Sequence, residues 1–184
     1  LAEKSGAALE LYNAASLQTR EIVAAWNSAT GAEALTIGEI LAGDEAAWEG
    51  LSAVVAHSPA LSARLRAFLV ESEELIPAAA AALGDGDLEA LGRLADRSQR
   101  NAHDNLGNQV PETIRMQALA RDLGAQAASS FGAGFGGSVW ALVPTADADD
   151  FATAWLERYS AEFPEVAERA TTLITRPGGP AHRL

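Results

Sequence analysis

Cysteine is absent from this chain of 184 residues, and histidine occurs only three times. Without cysteine, the chain can hold no disulfide, Fe–S cluster or thiolate zinc site, and it has no cysteine nucleophile. The three histidines, His57, His103 and His182, are far apart in the sequence. The sequence therefore predicts no metal site.

Basic residues are also scarce, with 13 Lys+Arg against 25 Asp+Glu and a net charge of -12. A surface of this charge repels phosphate backbones and anionic bilayers, so we expect neither nucleic acid nor a membrane as a partner. No apolar run is long enough to span a bilayer. The first ten residues have no basic stretch before an apolar one, unlike a signal peptide. A cytoplasmic protein is therefore expected.

Methionine occurs once, at Met116, and the chain begins with Leu1. Removal of an initiator methionine normally leaves a small residue at the N-terminus, so we expect this sequence to be a fragment of a longer protein. Its length is that of one domain. Its 48% of hydrophobic and 21% of charged residues are ordinary for a globular chain.

The first two thirds of the chain have the apolar spacing of helices, separated by capping residues and glycines. Short apolar segments at residues 125–131, 138–143 and 171–175 are predicted strands. The predicted helices comprise residues 7–26 and 36–41, a helix capped by Asp44, and helices at about 59–83 (kinked at Pro77), 87–106, 111–123 and 145–163. The expected architecture is α+β: a helical first part followed by a small antiparallel sheet flanked by helices, in a single domain over residues 1–184.

Four glycines crowd the string GAGFGG at residues 132–137, between two predicted strands. Glycine concentrates where φ is positive or where a backbone or ligand approaches closely, and successive peptide N–H groups can bind an anion. The string also matches G-x-G-x-x-G, but a dinucleotide site needs a helix after the loop, and here a strand follows. A glycine-rich hairpin with a structural bulge is the alternative interpretation.

Residues 131–143, FGAGFGGSVWALV, resemble the third conserved motif of the GHMP superfamily of small-molecule kinases, in the form found in galactokinases. Residues 71–101 are similar to the galactokinase segment with an acidic helix, a Gly-Asp turn and a second helix. Gln109-Val110-Pro111 lies where that family begins its next helix, and Tyr12-Asn13 lies at its Tyr-Asn pair. Together these segments cover most of the chain.

The sequence departs from the galactokinase pattern at four positions. Phe131 stands where a threonine is usual, and Ser129 stands where a basic residue is frequent. Gln99 replaces the histidine of a Ser-His pair, and Ile114 replaces an aspartate. These departures bear on the identity of the sugar more than on the assignment to the superfamily.

The resemblance implies that the chain is the C-terminal half of a two-domain kinase, because the family's phosphate loop and catalytic aspartate do not occur in it. The whole protein would transfer the γ-phosphoryl group of ATP to a monosaccharide hydroxyl. ATP and Mg²⁺ would be bound mainly by the absent N-terminal half. That half and a sugar are the expected partners. No catalytic residue is expected here, and the chain alone is expected to be inactive.

The resemblance also implies which residues form the site. Tyr12 and Asn13 would contact the sugar, although Tyr12 could instead pack its ring within a helix. The expected active-site loop consists of Gly132, Ala133, Gly134, Phe135, Gly136, Gly137 and Ser138.

Several other residues have simpler interpretations. Asp85 and Asp87 lie beside glycines at a helix start, where capping is expected rather than metal binding. Trp48, Trp140 and Trp155 are expected in the core. Two further hypotheses for the whole chain stay open. One is a non-catalytic regulatory module that binds a sugar or nucleotide with the same fold, and the other is a plain interaction domain.

Overall fold

The computed structural model describes residues 7–43, 46–132 and 134–179. Two strands in these ranges, β1 (Ala127–Phe131) and β2 (Ser138–Leu142), form an antiparallel hairpin. The α-helices are α1 (Ala7–Thr30), α2 (Ile37–Gly43), α3 (Ala47–Val55), α4 (Pro59–Leu69), α5 (Ile76–Asp85), α6 (Leu88–Asn101), α7 (Pro111–Asp122) and α8 (Ala148–Glu162). The predicted α+β architecture, helical first and then a small antiparallel sheet, is confirmed.

Several helix ends lie where capping chemistry predicts them. The Ser58 hydroxyl accepts the backbone N–H three residues on, at 3.4 Å, and starts α4. The Asp87 carboxylate accepts the N–H of Ala90 at 2.8 Å and starts α6. Gly86, with φ of 71°, ends α5 in the left-handed conformation that glycine adopts without a steric penalty. The expectation that Asp87 caps a helix is therefore confirmed. The predicted cap at Asp44 lies outside the described residues.

Two π-helical segments, Val70–Leu75 and Ala102–Leu106, interrupt the α-helical hydrogen bonding. The first lies directly before the start of α5, where Pro77 cannot donate a backbone hydrogen bond and its ring crowds the preceding turn. The predicted kink thus takes the form of a π-helical segment. Glu71 within it accepts a hydrogen bond from the Ser98 hydroxyl at 2.9 Å, which ties the segment to α6.

The larger apolar cluster lies among the first four helices. α1 packs against α3 and α4 along the helical spacing of its apolar residues. Each fully buried aliphatic side chain contributes about 1.5–3 kcal/mol to folding. The buried members are Ile22, Val23, Ile37, Ile40, Ala47, Leu51, Val55, Leu61, Leu65 and Leu69.

A second cluster holds the hairpin against α7 and α8. Its buried members are small, Ala120, Ala125 and Ala128, and Phe151 and Trp155 of α8 pack over them. Small residues let the elements approach closely. The hairpin also packs against α6. This close packing fixes where β1 and β2, and therefore the loop between them, lie.

The structure corrects two predictions. Residues 171–175 form no strand; their backbone is irregular, and Leu173 is 88% exposed. A β-branched sequence favours a strand only when a partner strand pairs with it. Trp48 and Trp140 are not core residues either, since they are 39% and 38% exposed. Trp155 fits its prediction better: it is half-buried, and its indole N–H donates to the Met116 carbonyl at 2.9 Å.

Within the described ranges, none of the helices is both long enough and apolar enough to cross a membrane.

Candidate active-site loop

Residues 132–138, the glycine loop, connect β1 to β2. Gly132, Gly134, Gly136 and Gly137 have φ values of 86°, 83°, 102° and 106°. Phe135 has a φ of 58° and is the only non-glycine residue with positive φ in the described part of the chain. Side chains are strained in this region of φ, whereas glycine is not. The crowded glycines therefore stand at positions whose positive φ favours glycine over residues with a side chain.

Gly134 meets the segment before α7. A Cβ atom built on Gly134 would lie 2.5 Å from both the Cγ atom and the carbonyl oxygen of Asn108, so no side chain fits there. The next peptide N–H, that of Phe135, donates to the same carbonyl oxygen at 2.5 Å. Asn108 is itself buried. The glycine loop is thus held down at its centre by a direct backbone contact.

The half-buried amide side chain of Gln109 supports this contact. Gln109 donates from its Nε2 atom to Asn108 Oδ1 and to the Ser130 hydroxyl, both at 2.9 Å. Its Oε1 atom accepts from Gln99 Nε2 at 3.0 Å and from the Thr113 hydroxyl at 3.0 Å. One side chain therefore joins α6, α7, β1 and the segment under the loop.

Gln99 completes the network from α6. It is 6% exposed. Its Oε1 atom accepts the backbone N–H of Ser130 at 2.8 Å and the hydroxyl of Ser129 at 3.3 Å. In the described residues, no buried side-chain nitrogen or oxygen lacks a hydrogen-bond partner. A fully satisfied polar network of this kind makes the position of β1, and of the loop that follows it, rigid.

Sequence analysis did not assign these amide residues a role. Ser98-Gln99 and Gln109-Val110-Pro111 fall within the segments that carry the family resemblance, and this was the only signal available. Glutamine and asparagine are mostly exposed in proteins, so nothing in their local sequence predicts burial. Ile114, at the position where the family has an aspartate, lies on α7.

The chemical capacity of the loop is narrow. Residues 126–144 contain no acidic, basic, histidine, tyrosine or cysteine side chain. The loop offers backbone N–H groups and the hydroxyl of Ser138, which is exposed at the first position of β2. Such groups can donate to an anionic oxygen but cannot act as a base at neutral pH. Phe131, directly before the loop, is 68% exposed.

The other predicted site residues lie elsewhere or outside the described residues. Tyr12 lies in α1, but its side chain is outside the described residues, and so is Ala133. Asn13 is exposed on α1. This helix packs against α3 and α4, whereas the hairpin packs against α6 and α7. The predicted sugar-binding pair therefore belongs to a different part of the fold from the glycine loop.

Potential metal ligands are also dispersed. No group of three or more histidine or acidic side chains that could hold a metal ion exists in the described residues. Asp85 is the last residue of α5, Asp87 caps α6, and His103 is exposed.

Comparison with known proteins agrees with this geometry. Residues 78–161 match the family of C-terminal domains of GHMP kinases. The matched segment is similar to the C-terminal domains of GHMP kinases. It includes α6, α7, both strands and the whole glycine loop, so the loop lies inside the part of the chain that this family model matches.

The chain is also similar to galactokinases. A galactokinase from Thermococcus kodakarensis is 31% identical over 119 residues, which are 65% of this chain and 33% of the relative. The crystal structure of Lactococcus lactis galactokinase complexed with galactose has the same fold, with a TM-score of 0.71 at 22% sequence identity. That match covers 89% of this chain and 40% of the solved one. The chain thus spans well under half the length of either relative.

Proposed function

We propose that this chain is the C-terminal half of a two-domain, ATP-dependent sugar kinase similar to galactokinases. The whole protein transfers the γ-phosphoryl group of ATP to a hydroxyl of a monosaccharide, in our proposal the anomeric one. The observation that carries the proposal is the glycine loop inside the matched GHMP domain. The coverage of 33% and 40% of two galactokinases supports a missing half of comparable or larger size.

The residues of this chain would shape the cleft and not perform the proton transfer. Phosphoryl transfer depends on positioning and on stabilising charge on the transferred group. The glycine loop leaves open space at Gly132, and Asn108 holds the loop at Gly134 and Phe135. The base that accepts the sugar proton is assigned to the N-terminal half, as the resemblance implies, and the loop itself has no titratable group.

ATP and Mg²⁺ are assigned mainly to the N-terminal half. Mg²⁺ neutralises charge on the phosphoryl oxygens when bound. The described residues hold no group of three or more acidic or histidine side chains, and the loop has no carboxylate to offer the ion. The only lysine of the chain, Lys4, is far from the loop in the sequence, and residues 126–144 contain no arginine. The chain alone would therefore lack a triphosphate clamp and be inactive.

The sugar is proposed to contact Tyr12 and Asn13 as well as the glycine loop. These two residues rest on the Tyr-Asn pair of the family, and they would have to approach the loop across the cleft. Substitution of Asn13 by alanine in the whole protein should raise the KM for the sugar more than it lowers kcat if Asn13 binds substrate. Asn27→Ala, on the same helix, is the control and should leave the KM for the sugar unchanged. The amide side chain of Asn27 already hydrogen-bonds the backbone N–H and carbonyl of Ala34, at 3.0 and 2.8 Å.

The direct test is ADP release by two polypeptides, one containing this chain alone and one encoded by the uninterrupted reading frame around it. A panel of hexoses and pentoses is offered with ATP and Mg²⁺. We expect release only from the longer polypeptide and only with particular sugars. Gly134→Val should abolish the release, whereas Gly132→Ala, at an open position of the same loop, should retain most of it.

Absence of turnover in the longer polypeptide would favour the regulatory module. The exposed Phe131, in place of the usual threonine, is the feature that supports this alternative. A module of that kind would bind a sugar or a nucleotide in calorimetry without releasing ADP.

A further inference from the structure

The outer edge of β1 is closed by side chains of the neighbouring helices. The N–H of Ser130 donates to Gln99 Oε1 at 2.8 Å, and the carbonyl of Ala128 accepts from Gln117 Nε2 at 3.3 Å. These backbone groups would otherwise be free to pair with another strand. Two of the four outward backbone groups of Ala128 and Ser130 are therefore already bonded, and α6 packs against this strand.

The outer edge of β2 is open. In an antiparallel pair, successive residues direct their backbone groups alternately toward the partner strand and away from it. Ser130 and Ala128 direct theirs away from β2, and their register partners are Val139 and Ala141. Val139 and Ala141 must then direct their N–H and C=O groups to the far edge of β2. Across residues 7–43, 46–132 and 134–179, no hydrogen bond is formed by these four groups.

An exposed aromatic face adjoins this open edge. The register pairs Phe131 with Ser138 and Ser129 with Trp140, so Phe131 and Trp140 lie on the same face of the hairpin. Both are exposed for aromatic residues, at 68% and 38%. An unpaired strand edge beside uncovered aromatic rings is the signature of a surface that another polypeptide covers.

We propose that the N-terminal kinase half adds a strand to the outer edge of β2 and covers Phe131 and Trp140. This inference rests on the proposed function, which supplies that half. β2 begins at Ser138, directly after the glycine loop. A strand paired along β2 would lie about 4.8 Å from it and bring the backbone of the other half to the base of the loop. Strand addition would thus fix the position of the N-terminal half relative to the glycine loop, and so the shape of the cleft between them.

Other occupants fit the edge less well. A second copy of the chain would bring two bodies of charge -12 together, which opposes a β2-to-β2 pairing. Residues 171–175 are rich in β-branched side chains, but they belong to the same chain, and their backbone is irregular and exposed in the structure. The missing half remains as the partner. The chain covers only 33% and 40% of two galactokinases, which leaves enough further polypeptide to supply a strand.

Hydrogen–deuterium exchange tests the proposal. The segment 138–143 is followed in the chain alone and in the longer polypeptide encoded by the whole reading frame. In the longer polypeptide we expect the amides of Val139 and Ala141 to exchange at least about 100-fold more slowly than in the chain alone, as paired strand amides do. Equal exchange of these amides in both polypeptides would overturn the proposal.

A proline variant provides an independent measurement. Proline is tolerated at an edge position whose N–H does not serve the existing ladder, so Ala141→Pro should keep the hairpin but block a new strand. In the longer polypeptide it should abolish protection of Val139 and lower ADP release. Glu33→Pro, in the irregular segment before α2, is the control and should change neither, because the N–H of Glu33 donates no hydrogen bond in the described residues. If Ala141→Pro unfolds the protein, the exchange comparison decides alone.

The outcomes separate this proposal from the proposed function. Protection without ADP release keeps the strand addition and refutes the kinase. ADP release without protection keeps the kinase and refutes the strand addition. If the chain alone already protects Val139 and Ala141, light scattering identifies the occupant, a dimer indicating a second copy and a monomer indicating residues 171–175. Either result overturns the proposal.

Discussion

The carbonyl oxygen of Asn108 occupies the space that a side chain on Gly134 would need, 2.5 Å from the ideal Cβ position. The same oxygen accepts the N–H of Phe135. The glycine loop is therefore shaped by contact with a buried residue 26 positions earlier in the chain as well as by its own backbone freedom. Each aspect can be tested separately, because Gly132 has the backbone conformation without the contact.

Alanine at Gly134 should destabilise the protein more than alanine at Gly132. Both substitutions place a side chain at positive φ, which costs about 1–2 kcal/mol. Only the first also overlaps Asn108, and overpacking adds about 1–3 kcal/mol. Urea unfolding of the two variants measures the difference. Equal losses of unfolding free energy would show that the Asn108 contact is not tight.

Gln99→Leu should lower the free energy of unfolding by about 1–3 kcal/mol, because the N–H of Ser130 and the amide of Gln109 lose a buried partner. Leucine has a similar volume, so little cavity forms. Gln18→Leu, on α1 and outside the network, should change stability by less than about 0.5 kcal/mol. A loss at Gln18 as large as the loss at Gln99 would contradict the role of the network.

Asp87 and Asp85 should respond differently to substitution. Asp87→Ala removes the cap that accepts the Ala90 N–H, and we expect a loss of about 1 kcal/mol, whereas Asp87→Asn should retain most of the stability. Asp85→Ala is the control and should have little effect. Thermal unfolding with and without Mg²⁺ checks both points. A shift with Mg²⁺ that depends on Asp87 would show that this carboxylate binds a metal.

The ion pair between α7 and α8 should make stability fall in acid. Arg115 donates to both carboxylate oxygens of Glu162, at 2.6 and 2.7 Å. The hydrogen bonds from Arg115, and then its charge, hold the pKa of Glu162 below its usual range. The hydrogen bonds to Glu162, and then the charge of that carboxylate, raise the pKa of Arg115. A carboxyl group with a lowered pKa stabilises the folded state above its unfolded pKa. That stabilisation is lost as the pH falls through the folded pKa.

Glu162→Gln should therefore lower the melting temperature at pH 7 and have a vanishing effect once the pH is below the folded pKa. The pair is exposed, so the shift should be small. Glu157→Gln, an exposed residue on the same helix, provides the comparison. An equal shift at both ends of the pH range would mean that the carboxylate charge is not the cause.

Local chemistry predicted much of the fold. Ser58 and Asp87 mark helix starts, because their side chains accept N–H groups that a helix leaves free, and both caps form. The apolar run before Pro144 predicts β2 correctly. Residues 171–175 have the same strand composition but no partner strand, and a strand depends on that partner. The π-helical form of the break at Pro77 also depends on packing against α6.

The candidate site was predictable only in part. The glycines of residues 132–137 predict positive φ from the sequence alone, and all four of them have positive φ in the structure. Gln99, Asn108 and Gln109 act through contacts between elements 10 to 30 residues apart, which no local pattern encodes. The roles proposed for Tyr12 and Asn13 remain predictions.

The closed edge of β1 also limits what the protein can polymerise into. With Gln99 and Gln117 on one side, a sheet built on this hairpin can grow in one direction only, so any assembly that starts at β2 stops at β1. Two open edges are needed before identical copies can stack without end. The two glutamines, together with the packing of α6 on β1, thus leave β2 as the edge at which a further strand can add.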